Sequence, residues 1–195
     1  MPDLDARSLA KSRSGSDGAD SLALAPLTLV LGGARSGKSA YAESLLSAHP
    51  APVYLATAEA GDAEMAARIA LHRARRGAGW TTIEASHHLA AALISVASPD
   101  KAILVDCLTL WLSNLMGAGR NVEVEIERLI ETLPSVASPI VFVANEVGLG
   151  IVPDNALARE FRDHAGRLNQ RLAQICQRVV FVAAGLPLVL KDEMK

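Results

Sequence analysis

The chain has 195 residues, half of them hydrophobic, and its 19 Lys+Arg against 21 Asp+Glu give a formal net charge of −2. That apolar content excludes wholesale disorder, the length suits one domain with a real core, and near-neutrality argues against a general nucleic-acid binder while leaving room for a phosphate site, which needs only a few cations. No apolar run reaches the roughly 18 residues of a membrane-spanning helix, and Cys107 and Cys176, far apart in apolar surroundings, fit neither a disulfide framework nor a zinc site, which points to a reducing, cytoplasmic setting.

Residues 1–25 mix Arg7, Lys11 and Arg13 with Asp3, Asp5, Asp17 and Asp20 among serines, glycines and alanines, without an aromatic. This reads as a flexible N-terminal tail with neither a secretory signal nor a transit peptide, followed by one domain over 26–195. Leu27 to Leu31 reads as a short strand, Lys38 to Ser47 as a helix and Val53 to Ala56 as a second strand. Asp62 to Arg76 has helical spacing and is stopped by Gly77 to Gly79; Trp80 to Ile83 is extended and Leu89 to Val96 helical. Lys101 to Val105 is an apolar run ending in Asp106, one or two helices broken at Gly117 to Gly119 continue to Thr132, and Ile140 to Ala144 is a buried strand ending in Asn145-Glu146. Asn155 to Gln177 is a long helix and Val179 to Ala183 a last core strand. Continuously apolar strands alternating with helices predict an α/β fold, a mostly parallel central sheet with helices on both faces. On the long helix, Leu157, Phe161, Ala165, Leu168, Leu172 and Ile175 form one apolar stripe suited to core or subunit packing, and Arg159, Arg162, Gly166, Asn169 and Gln170 form a separate polar stripe.

The run Gly32-Gly33-Ala34-Arg35-Ser36-Gly37-Lys38-Ser39 satisfies G-x-x-x-x-G-K-[ST] and stands between a predicted strand and a predicted helix. Glycines let successive N–H groups turn inward onto phosphate oxygens, the helix start adds its positive end, Lys38 would neutralise the β and γ phosphates, and the Ser39 hydroxyl would coordinate Mg²⁺. A phosphate-bound magnesium also calls for a carboxylate at the end of a neighbouring strand; Asp106 occupies such a position and Glu146 is a second candidate, while a helix-capping role is the plain alternative for Asp106.

Among five histidines, His72 stands out: on a helix Arg68 precedes it by one turn and Arg75 or Arg76 follows by one. Cations on both sides disfavour a further positive charge on the ring, and a neutral imidazole is a nucleophile against which the same arginines could hold a phosphate. From the residues alone, a plain surface histidine remains an alternative.

The phosphate loop, Ala56-Thr57-Ala58-Glu59, Glu64-Met65, Arg68-Ile69, His72-Arg73, Trp80, Thr82 and Glu84 together resemble the bifunctional adenosylcobinamide kinase / adenosylcobinamide-phosphate guanylyltransferase family. So do Val105-Asp106-Cys107-Leu108-Thr109, Asn114-Leu115, Asn145-Glu146-Val147-Gly148, Ile151-Val152-Pro153, and the helix segments Leu157-Ala158-Arg159, Phe161-Arg162-Asp163 and Gly166-Arg167-Leu168-Asn169-Gln170. The resemblance implies a RecA-like P-loop NTPase fold and a homotrimer. It implies two reactions of adenosylcobalamin biosynthesis: phosphorylation of adenosylcobinamide by ATP or GTP, then transfer of GMP from GTP to adenosylcobinamide phosphate, giving adenosylcobinamide-GDP and pyrophosphate. It makes His72 the carrier of a covalent GMP and places the nucleotide at Gly32 to Ser39, at Thr57, Ala58 and Glu59, at Arg73, Ala74, Arg75 and Arg76, and at Glu84 and Asp106, with Mg²⁺ on Ser39 and Asp106. Glu84 would accept hydrogen bonds from the guanine edge, and the corrinoid groove would lie near Asn145, Glu146 and the stripe from Arg159. Two other readings stay open at this point: a P-loop small-molecule kinase without guanylyl transfer, and a nucleotide-responsive regulatory module.

Overall fold

The computed structural model describes residues 24–59, 70, 76 and 79–194. Strand β1 (Leu27–Gly32) runs through the phosphate loop into helix α1 (Lys38–Leu46), then come β2 (Pro52–Ala56), β3 (Thr81–Glu84), α2 (Leu89–Val96), β4 (Ala102–Asp106), α3 (Leu108–Gly117) and α4 (Val122–Thr132). Strand β5 (Ile140–Asn145), the long helix α5 (Ala156–Ile175), β6 (Arg178–Ala183) and β7 (Leu186–Asp192) complete the order. The helix expected over Asp62 to Arg76 lies outside the described residues except for Ala70 and Arg76, which are both helical.

The seven strands form one sheet in the order β3-β2-β4-β5-β1-β6-β7, all parallel except β7. Strands β1, β2, β4 and β5 are apolar on both faces because both faces are covered. One layer packs Leu29, Leu55, Val105 and Phe142 against α2, α3, α4 and α5. The other packs Val30, Tyr54, Leu104 and Val143 against Ala42 and Leu46 of α1. Parallel pairing sends all the C-terminal strand ends to one edge, which gathers Gly32, Ala56, Glu84, Asp106 and Asn145 there, the edge where open α/β sheets bind ligands.

Three features depart from the sequence expectation. Ala25, assigned above to the tail, is fully buried, and the Pro26 carbonyl accepts from Ile140 N at 2.9 Å, so packing begins by Leu24; residues 1–23 lie outside the described set. The apolar stripe of the long helix divides: Ala165, Leu168 and Leu172 are buried and Phe161 and Ile175 partly so, but Leu157 is 62% exposed. The cause is overhang. Asn169 Nδ2 reaches the Asn145 carbonyl at the end of β5, 3.5 Å away. Leu157 lies twelve residues earlier on a helix running back from that edge, which at the usual rise puts it about 18 Å beyond the sheet. Third, the chain does not finish on β6. A two-residue turn, Ala184-Gly185, with φ of 51° and 80°, folds β7 back as an antiparallel edge strand. Positive φ at both residues suits the twist of a tight hairpin.

Candidate nucleotide and metal site

The phosphate loop takes its shape from two glycines and a lysine. A Cβ on Gly32 would stand 2.5 Å from the Val182 carbonyl and 2.6 Å from Ser36 Oγ, so only glycine lets the end of β1 lie so close to β6. Gly37, at φ 95°, turns the chain into α1. Lys38 is buried at 8% exposure and donates from Nζ to the Gly33 carbonyl at 3.1 Å, curling back over the loop it would serve. Ser39 follows in the first turn of α1, and Ala34 and Arg35 are exposed on the rim. Gly185 N donates to the Ser36 carbonyl at 2.8 Å, so the β6–β7 turn braces the loop from outside, a support with no motif in the sequence.

Asp106 ends β4, two strands from Gly32, with β5 between. Its Oδ2 accepts from Tyr54 Oη at 3.1 Å. Burial, aided by the Asp106 charge, pushes the Tyr54 phenol far above its usual range, so it stays a donor. The rival carboxylate, Glu146, turns its Oε1 onto Gly148 N in its own loop. Ser39 and Asp106 offer hard oxygen donors, and among the described residues no group of three His, Cys, Asp or Glu could form an all-protein metal cage. A hydroxyl and one carboxylate, completed by phosphates and water, is the donor set Mg²⁺ favours. Neighbouring Cys107 is no soft competitor: burial, with Asp106 beside it, raises its thiol to about 11 and keeps it neutral.

The remaining predicted residues separate. Thr57 is fully buried and donates from Oγ1 to the Cys107 carbonyl at 2.7 Å, tying the β2 and β4 exits together. Asn114, on α3, donates to the carbonyls of Thr57 and Ser86 at 2.7 and 3.1 Å and clamps a third exit to these two. Ala58 follows, and exposed Glu59 lies 3.4 Å from His87 Nδ1. Glu84 is exposed at the tip of β3, with β2, β4 and β5 between it and β1; at the usual strand spacing that is about 19 Å across the edge. Arg76 does not extend into solvent: its side chain, 3% exposed, lies over the Tyr54 ring at 3.4 Å and 3.9 Å from Glu43 Oε1. His72, Arg73, Ala74 and Arg75 lie outside the described residues. Sequence reading placed Asn145 only loosely. The structure puts it in register with Gly32, its N–H donating to Thr109 Oγ1 at 2.7 Å and its buried Oδ1 without a hydrogen-bond partner.

Comparison with known proteins agrees with this geometry. A Pyrococcus horikoshii OT3 protein aligns with a TM-score of 0.51 at 11% identity over 89% of this chain and 90% of that one. An ATPase of a bacterial type III secretion system aligns at 0.50 and 11% identity over 84% and 56%. These likenesses show the fold, that of a P-loop NTPase. In sequence, the chain is 51% identical to the bifunctional adenosylcobalamin biosynthesis protein CobP of Pseudomonas aeruginosa over 85% of this chain and 97% of that one. It is 43% identical to the protein CobU of Salmonella typhimurium, described by the same words, over 85% and 99%. The family model described as cobinamide kinase / cobinamide phosphate guanyltransferase matches residues 28–190. With that match running through the phosphate loop, Asp106 and Asn145 alike, the chain belongs to the family of bifunctional cobinamide kinases and cobinamide phosphate guanylyltransferases that serve adenosylcobalamin biosynthesis.

Proposed function

We propose that this enzyme runs both family reactions from one nucleotide site at the C-terminal sheet edge. The supporting observation is the convergence there of the phosphate loop, Lys38, Asp106 and the unpartnered Oδ1 of Asn145. In the kinase step the hydroxyl of adenosylcobinamide attacks the γ phosphorus of ATP or GTP, the bond to the β-phosphate oxygen breaks, and Asn145 Oδ1 orients the attacking O–H. Lys38 and the loop N–H groups stabilise the charge that gathers on the phosphate oxygens. Ser39 and Asp106 would hold Mg²⁺, which would supply further neutralisation of the phosphates. In the second step the His72 imidazole attacks the α phosphorus of GTP and pyrophosphate leaves. A phosphate oxygen of adenosylcobinamide phosphate then displaces the imidazole, giving adenosylcobinamide-GDP. Arg73 and Arg75 offset the negative charge of the GMP, Ala74 spaces them, and Glu84 reads the guanine.

The corrinoid, large and amphipathic, lies along the overhang of α5 and the preceding loop, where Leu149, Ile151, Val152 and Leu157 stand exposed. A homotrimer would cover part of this surface and of β7, whose Leu186, Leu188, Val189 and Leu190 are all more than half exposed. No described helix is long and apolar enough to cross a membrane, and we place the reactions in the cytoplasm, where the two buried, unbonded cysteines would stay reduced.

Incubation with α-labelled GTP followed by a denaturing gel tests the guanylyl step. The label should stay on the chain, be discharged by adenosylcobinamide phosphate, and vanish in His72→Ala. An acid-labile adduct persisting in that variant would overturn the assignment.

A further inference from the structure

One buried cluster beside the site has no part in the chemistry above. Tyr54, 6% exposed, points from β2 to the α1 side of the sheet. Its ring is boxed by Trp80, edge-on with centroids 6.4 Å apart, and by the Arg76 guanidinium 3.4 Å from the ring centroid. Beyond Arg76 stands Glu43 of α1, with side chains only 3% and 11% exposed across this pair. The Tyr54 hydroxyl, at the other end, reaches Asp106 Oδ2 at 3.1 Å. A continuous stack therefore runs from the helix that carries Lys38 and Ser39, through the arginine four residues after His72 in sequence, to the carboxylate at the tip of β4.

We propose that Tyr54 is a positioning residue of the phosphoryl-transfer site: its hydroxyl holds Asp106 in the rotamer that meets the nucleotide-bound divalent cation, and Arg76, laid on its ring, ties that rotamer to the segment bearing His72. A carboxylate at a strand tip can rotate about two bonds, and each alternative rotamer competes with metal binding. Pinning one oxygen removes that competition. Tyrosine suits the task, because its ring has only two side-chain torsions and both neighbours pack against its sides, leaving the hydroxyl a single direction. A lone aromatic filling space would need neither a cation on its face nor a carboxylate at its hydroxyl.

The inference rests on the reading of Asp106 as the metal-site carboxylate, so the test carries a control for that reading. Affinity of the full-length chain for a non-hydrolysable GTP analogue is measured without metal, and the affinity of the resulting complex for Mn²⁺ is measured by electron paramagnetic resonance. Tyr54→Phe keeps the ring under Arg76 and beside Trp80. It should leave metal-free nucleotide affinity within about twofold and weaken Mn²⁺ binding by about tenfold, the lower end of what loss of such an outer hydrogen bond costs. Kinase kcat should fall while KM for adenosylcobinamide holds. Arg76→Met should weaken Mn²⁺ binding in the same direction and add little in the Tyr54→Phe background. Unchanged Mn²⁺ affinity in both single variants, with Asp106→Asn strongly impaired, overturns the inference and leaves the metal reading standing. Unchanged affinity in Asp106→Asn overturns both.

Discussion

Replacing Gly32 with alanine tests the closest packing in the nucleotide site. The new methyl would stand 2.5 Å from the Val182 carbonyl and 2.6 Å from Ser36 Oγ, so reaching the 3.4 Å of ordinary contact means parting β1 from β6 by about 0.9 Å. That carbonyl is backbone, one residue beyond the ladder that pairs Leu31 with Phe181, and it cannot swing aside as a side chain would. Overpacking of this kind costs about 1–3 kcal/mol. In a domain of this size the thermal midpoint should then fall by about 3–10 °C. The strain falls on the first residue of the phosphate loop, so GTP affinity measured by calorimetry should drop at least about tenfold, the equivalent of 1.4 kcal/mol. Gly33→Ala is the internal control: nothing lies within 4 Å of its added methyl, so its midpoint should stay within about 1–2 °C of the parent. A Gly32→Ala protein with the parent's midpoint and the parent's GTP affinity would refute the reasoning.

Lys38→Ala should depress both the kinase and the guanylyl rates by about 10²–10³, the usual cost of one lost charge-stabilising donor; loss of only one rate, by steady-state assay, would show separate nucleotide sites. Glu84→Gln should erode the preference for GTP over ATP in the guanylyl step, read as a ratio of kcat/KM values, and an unchanged ratio would remove Glu84 from base recognition. The buried thiols give a pH dependence: burial raises Cys107 to about 11 and Cys176 to about 12, so the folded state holds protons that the unfolded chain releases near 9. Stability from this source is complete below about pH 9 and declines as pH rises through 11–12. Denaturant titrations across that window should show the decline, with a shallower slope in Cys107→Ala.

Much of the architecture can be read from apolar runs. Strands β1, β4 and β5 are buried on both faces, so their sequences are continuous hydrophobic segments, and the polar residues that end β4 and β5, Asp106 and Asn145, mark the functional edge. Strand β7 escapes such reading for a physical reason. It lies at the sheet edge with Leu186, Leu188 and Leu190 exposed, contains Pro187, and follows an Ala-Gly turn rather than the Asn-Gly that announces a hairpin. Tyr54 is hidden differently. Inside an apolar strand it reads as filler, and its chemistry depends on a carboxylate 52 residues later. Arg76 belongs to a basic run suited to gripping phosphate, yet a buried carboxylate and an aromatic face draw it inward, which spacing along one helix cannot reveal. The first turns of α5 carry an amphipathic stripe like the rest of that helix, and only the end of β5 decides how much of the stripe meets the core.

The placement of β1 also bears on how the protein is made. The phosphate-loop strand is the first element among the described residues, but its two neighbours are β5 and β6, pairing Leu27 with Ile140 and Thr28 with Arg178. The turn that braces the loop, at Gly185, comes later still. During synthesis the loop residues emerge well before β5 and β6 and wait, without a ladder on either side, until those two strands follow. Nucleotide should therefore add little stability to a nascent chain that still lacks β5 and β6. Binding competence should arrive only once β5, β6 and the bracing turn at Gly185 have been made, and a truncation that removes the β6–β7 hairpin should weaken the phosphate site although every residue of the motif remains.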